Sequence, residues 1–421
     1  MILIPARVPS VRRLAATLYG YAFLTDFVLL YSVYALLFAD TGLSVGQISS
    51  LFVIWSATGI VLEVPSGAWA DAVSRRLLLC LAPLLPAVGF ALWVLVPSYP
   101  AFAVGFLLWG AGSTLRSGAL EALVYTELDR AGAADRYAWI SGRASTAAVL
   151  AGVCSHALAG PVLAVGGYRA VGAASVVGCL LAAAVATRFP DHRAAAPAQV
   201  GAAPAEVATA ADDRGWWASL RAGLAEARAT PSVRGALLLV PVVTAIWGGL
   251  DEYLPLLARD VGADDTAVPL LLLLVALGVT AGGLLAPAGE RLSRVGYAGL
   301  LVLAAVATAG GALVGHPSGF LLVAAGFAAF QLATVLADVR LQARITGAAR
   351  ATVTSVAGMA TDLTIIAFYA GYGLLAPATG HPAAFALAVL PYLAVAAWLV
   401  ASRRDRSPGD GGRRSVGQIG G

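Results

Sequence analysis

The stretch GAWADAVSRR, residues 67–76, decides how this chain is read. It is a short charged interruption between two long apolar runs, and Gly67, Asp71 and Arg75 follow one another at intervals of four. On a helical path that spacing places all three on one face. Much later, APAGERLSR, residues 286–294, repeats the interval with a small residue, an acid and an arginine: Ala286, Glu290 and Arg294. A second pair keeps the same order, RYAWIS at 136–141 and RATVTS at 350–355. In both cases the copy follows after about half of the 421 residues, which implies two homologous halves. Two such halves packed about a central site is a recurrent transporter design.

The rest of the chain fits that frame. It is 59% hydrophobic and only 12% charged, with a mean hydropathy of +0.83, where soluble domains carry about 25% charged residues. A bilayer can accommodate that much apolar surface and a soluble core cannot. Taking roughly 20 apolar residues per crossing, twelve segments emerge: 14–39, 47–71, 77–96, 100–128, 138–163, 168–188, 235–258, 266–289, 297–315, 318–343, 351–376 and 383–401. The expected fold is an all-α integral membrane protein of twelve transmembrane helices in two pseudo-symmetric six-helix bundles. The bundles should span 1–190 and 232–401, joined by a cytoplasmic linker at 191–231 and followed by a tail at 402–421. Within the linker, 194–211 is an Ala/Pro run suited to a flexible connection. Residues 216–228 mix Trp and Leu with Arg and Glu, a pattern suited to a helix on the membrane surface.

Charge placement sets an orientation. All 27 basic residues are arginines: Arg169 and Arg259 fall on one side, Arg116, Arg143 and Arg340 within helices, and the other 22 on the side of both termini. The positive-inside rule makes that crowded side the cytoplasm, so a multi-pass protein of the inner (plasma) membrane is expected. Arg7, Arg12 and Arg13 precede the first apolar run, which lacks a cleavage pattern and reads as a retained helix. Cys80, Cys154 and Cys179, and the four histidines, are scattered, with no disulfide framework or metal spacing. No P-loop is present, and nothing in the composition calls for a nucleic-acid partner.

GAWADAVSRR resembles the loop between helices 2 and 3 of the major facilitator superfamily, whose usual form is G-x-x-x-D-R-x-G-R-R. Gly67, Asp71, Arg75 and Arg76 match, while Ala72 and Ser74 replace an arginine and a glycine. EVPSGAWAD, residues 63–71, is similar to a subgroup with E-[VI]-P-[ST]-G-x-x-A-D, and SGALEALVY, residues 117–125, and RATVTS resemble patterns of that subgroup. The resemblance implies a transporter working by alternating access. It implies that Gly67, Asp71, Arg75 and Arg76, with Glu290 and Arg294 in the repeat, form a cytoplasmic gate. Asp71 would accept N–H groups at a neighbouring helix start, and the arginines would pair with acids of the other half; otherwise they anchor topology alone. Gly160-Pro161 followed by Gly166-Gly167 partly resembles the helix 5 motif of proton-coupled antiporters, with His156 and Ala164 where glycines are usual.

Charges within the apolar segments mark the candidate pathway, because each costs about 2.5–3.5 kcal/mol at the bilayer centre. Asp26 and Arg116 both lie about twelve residues, or roughly 18 Å, from the cytoplasmic ends of their segments. They can pair, with Asp26 as a proton or substrate site and Arg116 as its partner, or as a static pair that assists folding. Glu63, Glu121 and Arg143 form a second group nearer the cytoplasm, either bonding helices together or forming a gate. In the second half, Gln331 and Asp362 are cavity-lining candidates, and Asp251 and Glu252 are expected to be solvated at the outer end of helix 7. The functional expectation is secondary active transport of a small organic solute, as proton-coupled efflux without a cofactor other than the proton gradient, by a monomer. Proton-coupled uptake or facilitated diffusion is the alternative within transport. A membrane enzyme acting on a lipid-linked substrate would need an interfacial catalytic cluster, and none is evident.

Overall fold

The computed structural model describes residues 7–191, 231–343 and 350–404. The expected surface helix of the linker and the end of the tail lie outside the described residues, as do the surroundings of Gly67 and the side chain of Asp71.

Twelve helical passes cover the described residues, with no strand among them. Helix α1 runs Arg7–Asp26, passes through a 3-10 turn at Leu29–Ser32 and resumes at Tyr34–Asp40. Val45–Ala72 is α2, Arg75–Leu95 is α3 and Tyr99–Arg130 is α4. Tyr137–Ala186 contains both α5 and α6, turned at Gly167, whose φ of 61° and ψ of −164° suit glycine alone. Helix α7 is also interrupted, running Pro231–Asp251 and then Leu254–Asp260. Val268–Leu284 is α8, extended by a turn at Ala286–Gly289, and Arg294–Leu313 is α9. Phe320–Gln342 is α10, Arg350–Thr379 is α11, and His381–Ala388 with Leu390–Arg404 makes α12. The breaks in α1 and α7 fall inside segments that hydropathy reads as continuous.

The repeat survives in local structure. Ser74 opens α3 by accepting the N–H of Leu77, and Ser293, its counterpart in the second copy of the motif, opens α9 by accepting that of Gly296. The capping oxygen at the start of α3 is therefore that of Ser74, a helix N-cap of the usual kind. Gly42 and Gly262, with φ of 91° and 87°, end α1 and α7 at equivalent places. Small residues set the close approaches within each half. A β-carbon on Gly282 would overlap the carbonyl oxygen of Ala328 in α10, and one on Gly105 would enter the ring of Trp93. Membrane helices pack in this way because lipid gives no hydrophobic drive for larger side chains to associate.

The halves meet on the side opposite the termini, termed distal below. Ser49 of α2 hydrogen-bonds the Tyr253 hydroxyl at 2.7 Å, and Tyr253 stacks on Tyr372 of α11 with ring centroids 3.8 Å apart. A β-carbon on Gly160 of α5 would overlap the carbonyl oxygen of Thr266, which precedes α8. Arg259 reaches from α7 to Asp40 at the end of α1, 2.6 Å away. Toward the termini the arrangement differs. The face of α5 that carries Gly160 and His156 continues through Val149, Thr146, Ser145 and Gly142. The last four are exposed, with open space beside Gly142. Among the described residues the bundle is thus closed distally and open on the terminal side.

Candidate functional site

A cavity of about 530 Å³ lies between the halves, bounded by α1, α2, α4 and α5 of the first and α7 and α8 of the second. The broken helices shape it. In α1 the break frees the N–H of Leu30, which donates to Ser175 Oγ of α6 at 3.1 Å. In α7 the Tyr392 hydroxyl enters the helical ladder, accepting the Trp247 N–H at 3.0 Å and donating to the Val243 carbonyl at 3.2 Å. A side chain inserted into the i to i−4 ladder bends a helix, and this one turns Trp247 and the following break toward the cavity. Its backbone groups stay paired, as the bilayer interior requires.

Aromatic rings form the wall from the first half. Tyr31 and Trp109 stack at 4.9 Å, and Trp55 stacks on Trp109 at 4.9 Å. Tyr34 stands edge-on to Trp109 at 6.2 Å. From α5, His156 lines the cavity with its Nδ1 2.8 Å from Ser32 Oγ. The second half contributes Trp247, fixed by an Nε1–H bond to Thr334 at 3.1 Å, and the carboxylates of Asp251 and Glu252. Neither carboxylate has a hydrogen-bond or ion-pair partner among the described residues. These two acids are expected to be solvated at the outer end of helix 7. They lie not at an outer end but in the cavity, because α7 continues past its break for another seven residues, Leu254–Asp260; there Asp251 is exposed and Glu252 half-buried.

The charged pair anticipated across helices 1 and 4 is formed. Arg116 lies 3.8 Å from Asp26, which also takes a hydrogen bond from Thr25 at 3.4 Å. It borders a water-sized space of about 30 Å³ between α1, α3, α4 and α6, behind Tyr31 and Trp109, which line both spaces. Gln331 and Asp362 are not in the cavity wall: Gln331 lies beside Gly283 of α8, and Asp362 is within electrostatic reach of Glu63 across the α2–α11 contact. Glu63 of the inner group is the acid within that reach of Asp362. Arg143 lies over Trp139 of its own helix at 4.0 Å, and Glu121 shares an exposed face with Ser117, Gly118 and Tyr125. Both loop arginines bond within their own half: Arg75 to Thr126 at 3.1 Å and the Ala122 carbonyl at 3.3 Å, and Arg76 to Asp191 at 3.2 Å. Glu290 and Arg294 are exposed. Among the described residues neither Arg75 nor Arg76 bonds across the halves in this conformation, in keeping with the open terminal side.

The aromatic wall and the acids of α7 are what a charge-by-depth reading misses. The signal for them is the string GGLDEYLP, residues 248–255, where two glycines and a proline bracket two acids in an apolar run. Such an interrupted segment is a pointer to a binding site in repeated transporters.

Among solved structures, the fold resembles a bacterial homologue of the human lysosomal transporter Spinster, inward-facing and unoccupied. The TM-score is 0.67 at 17% identity, covering 97% of this chain and 100% of that one. It also resembles the nucleoside transporter NupG, with a TM-score of 0.67 at 12% identity over 94% and 98% of the two chains. A D-xylose–proton symporter gives 0.63 at 15% identity over 92% and 96%. A comparison with curated protein sequences found no match. The duplication, the paired helix breaks and the cavity between bundles agree with what the sequence model described as Major Facilitator Superfamily reports over residues 15–369: this chain belongs to that family of membrane transporters.

Proposed function

We propose that the protein is a proton-coupled exporter of a small organic solute, working by alternating access as a monomer in the plasma membrane with both termini in the cytoplasm. The observation that carries this reading is a cavity between the halves, closed distally, whose wall holds two carboxylates without partners among the described residues. An ionised carboxylate deep in a membrane protein needs a compensating charge, and none of the described arginines lines this cavity. A proton or a bound cargo supplies it. Export follows if protonation from the distal side displaces cargo that entered from the cytoplasm. Asp26, held by Arg116 behind the aromatic wall, is a second proton position whose state can be read by Tyr31. The distal contacts Arg259–Asp40 and Ser49–Tyr253 hold the inward-open state. When the halves rock the other way, Arg75 and Arg76 become available to acids of the second half. The likeness to an inward-facing transporter is in keeping with that assignment.

The test is reconstitution into liposomes containing a pH-sensitive dye. Addition of a transported solute should move protons, and the Asp251→Asn, Glu252→Gln variant should lose that movement. Solute flux that equilibrates without protons and ignores an imposed pH gradient would replace this reading with facilitated diffusion.

A further inference from the structure

We infer that the cavity is built to hold an organic cation with an apolar, ring-bearing body. The inference rests on the transport reading for the cavity's being the solute's site, but it can be tested without any transport. Three features of the lining carry it. The first is charge: among the described residues, Asp251 and Glu252 are the only fixed charges in the wall, and no arginine faces them. Arg116 is engaged with Asp26 on the other side of Tyr31 and Trp109. His156 shares its Nδ1 with Ser32. A carboxylate pair, one exposed and one half-buried in a cavity walled largely by apolar and aromatic side chains, repels anions and gains most from a cation whose own hydration is weak.

The second feature is the ring surface opposite the acids. Tyr31, Tyr34, Trp55 and Trp109 from one half face Trp247 from the other across the same space. Aromatic rings attract organic cations over their faces and bury apolar bodies against the rest of their surface. Stacking at 4.9 Å along Tyr31, Trp109 and Trp55 holds these rings in place before any ligand arrives, so little side-chain freedom is lost on binding. The third is size and remaining lining. About 530 Å³ is the volume of a site for a drug-sized molecule, and Val149, Val153, Leu272 and Val279 complete an apolar wall. The hydroxyls of Tyr31, Tyr34 and Thr280 are the neutral hydroxyl groups of the lining side chains, and no amide side chain is among them.

The experiment is equilibrium dialysis of the purified full-length protein in detergent against tetraphenylphosphonium and, separately, tetraphenylborate, two ions of one shape and opposite charge. Saturable binding of the phosphonium is expected, with tetraphenylborate at least tenfold weaker. Asp251→Asn, Glu252→Gln should weaken the phosphonium at least tenfold, and Trp55→Leu or Trp247→Leu three- to tenfold. Asp264→Asn, an acid in the exposed α7–α8 loop, should leave it unchanged. Each variant is accepted only with a wild-type elution profile and melting temperature. Should the paired variant misfold, Asp251→Asn alone, expected to weaken binding at least threefold, takes its place. Equal binding of both ions, no saturable binding of the phosphonium, or undiminished affinity in the acid variant would each overturn the inference. Cation binding without proton movement in liposomes would leave the inference standing and remove the proton-coupled reading instead.

Discussion

Replacing Arg259 with glutamine should release the distal closure. Arg259 donates to both carboxylate oxygens of Asp40, at 2.6 and 3.2 Å, and to Asp265 of its own half, at 2.9 and 2.8 Å. Only the Asp40 contact crosses between halves, so only it distinguishes the closed distal side from the open one. The Arg259 side chain is 29% exposed and that of Asp40 is 42% exposed, so solvent screens the pair substantially. A two-pronged, charge-assisted contact at such a place is worth about 1 kcal/mol. That is roughly a fivefold change in the ratio of the two conformations, since about 1.4 kcal/mol is tenfold. Spin labels at Ser44→Cys and Thr379→Cys, both exposed on the distal side, would report it by double electron–electron resonance once Cys80, Cys154 and Cys179 are replaced. The Arg259→Gln distance distribution should gain about fivefold in its longer component. Asp265→Asn, which leaves the crossing contact in place, should move it less than twofold, and adding Asp40→Asn to Arg259→Gln should open it no further. An unchanged distribution in Arg259→Gln, or equal opening by Asp265→Asn, would refute the assignment of this pair as a distal lock.

Three further outcomes follow from the same geometry. Gly160→Val should abolish transport while leaving expression and melting temperature near wild type, because its side chain would meet the Thr266 carbonyl only when the distal side closes; Gly118→Val, with open space beside it, is the control. Tyr392→Phe removes the hydroxyl that serves both Val243 and Trp247, and should cost about 1–3 kcal/mol, read as a lower melting temperature, unless α7 straightens and Trp247 changes its fluorescence. Asp26→Asn should lower the melting temperature by leaving Arg116 without its acid, a cost of about 1 kcal/mol at this half-exposed site. Asp26→Asn with Arg116→Gln should recover most of it, and a double variant as unstable as the sum of the single ones would dissociate the pair.

The repeat, the number of crossings and the Asp26–Arg116 pair are legible in the chain because each depends on a local rule: apolar length, a recurring spacing, equal depth. The breaks in α1 and α7 are not, because what permits them lies elsewhere. Nothing near Leu30 announces that Ser175, in a helix far along the chain, will take its N–H, or that Tyr392 will enter the ladder of α7. Misjudging those breaks moves Asp251 and Glu252 from the cavity wall to the outer end of a helix. Asp362 and Gln331 illustrate the converse. Depth along a helix does not give the direction in which a side chain points: Gln331 meets α8 at Gly283, and Asp362 is absent from the cavity wall and within electrostatic reach of Glu63.

The chemistry of the site arises where the two halves stop matching. The interval from Asp40 to Asp260 equals that from Tyr34 to Leu254, where the interrupted helices resume. In that register Tyr31 of the first half corresponds to Asp251 of the second, and Ser32 to Glu252. An aromatic wall therefore faces an acidic one across the cavity, from equivalent places in the fold. The distal ends show the same division. Asp40 accepts the Tyr168 hydroxyl of the α5–α6 turn at 2.6 Å, and Asp260 accepts the N–H of His381 at the α11–α12 turn at 3.3 Å, a matched pair that ties each half to itself. The crossing ion pair has no such match: Arg259 corresponds to Ala39, so one half alone supplies its cation. A symmetric protein would present the same wall on both sides, and its lock would be either doubled or missing. Duplication supplies two halves about a cavity, and on the proposed reading substitution at matched positions of one half supplies the charge that would select and release the cargo.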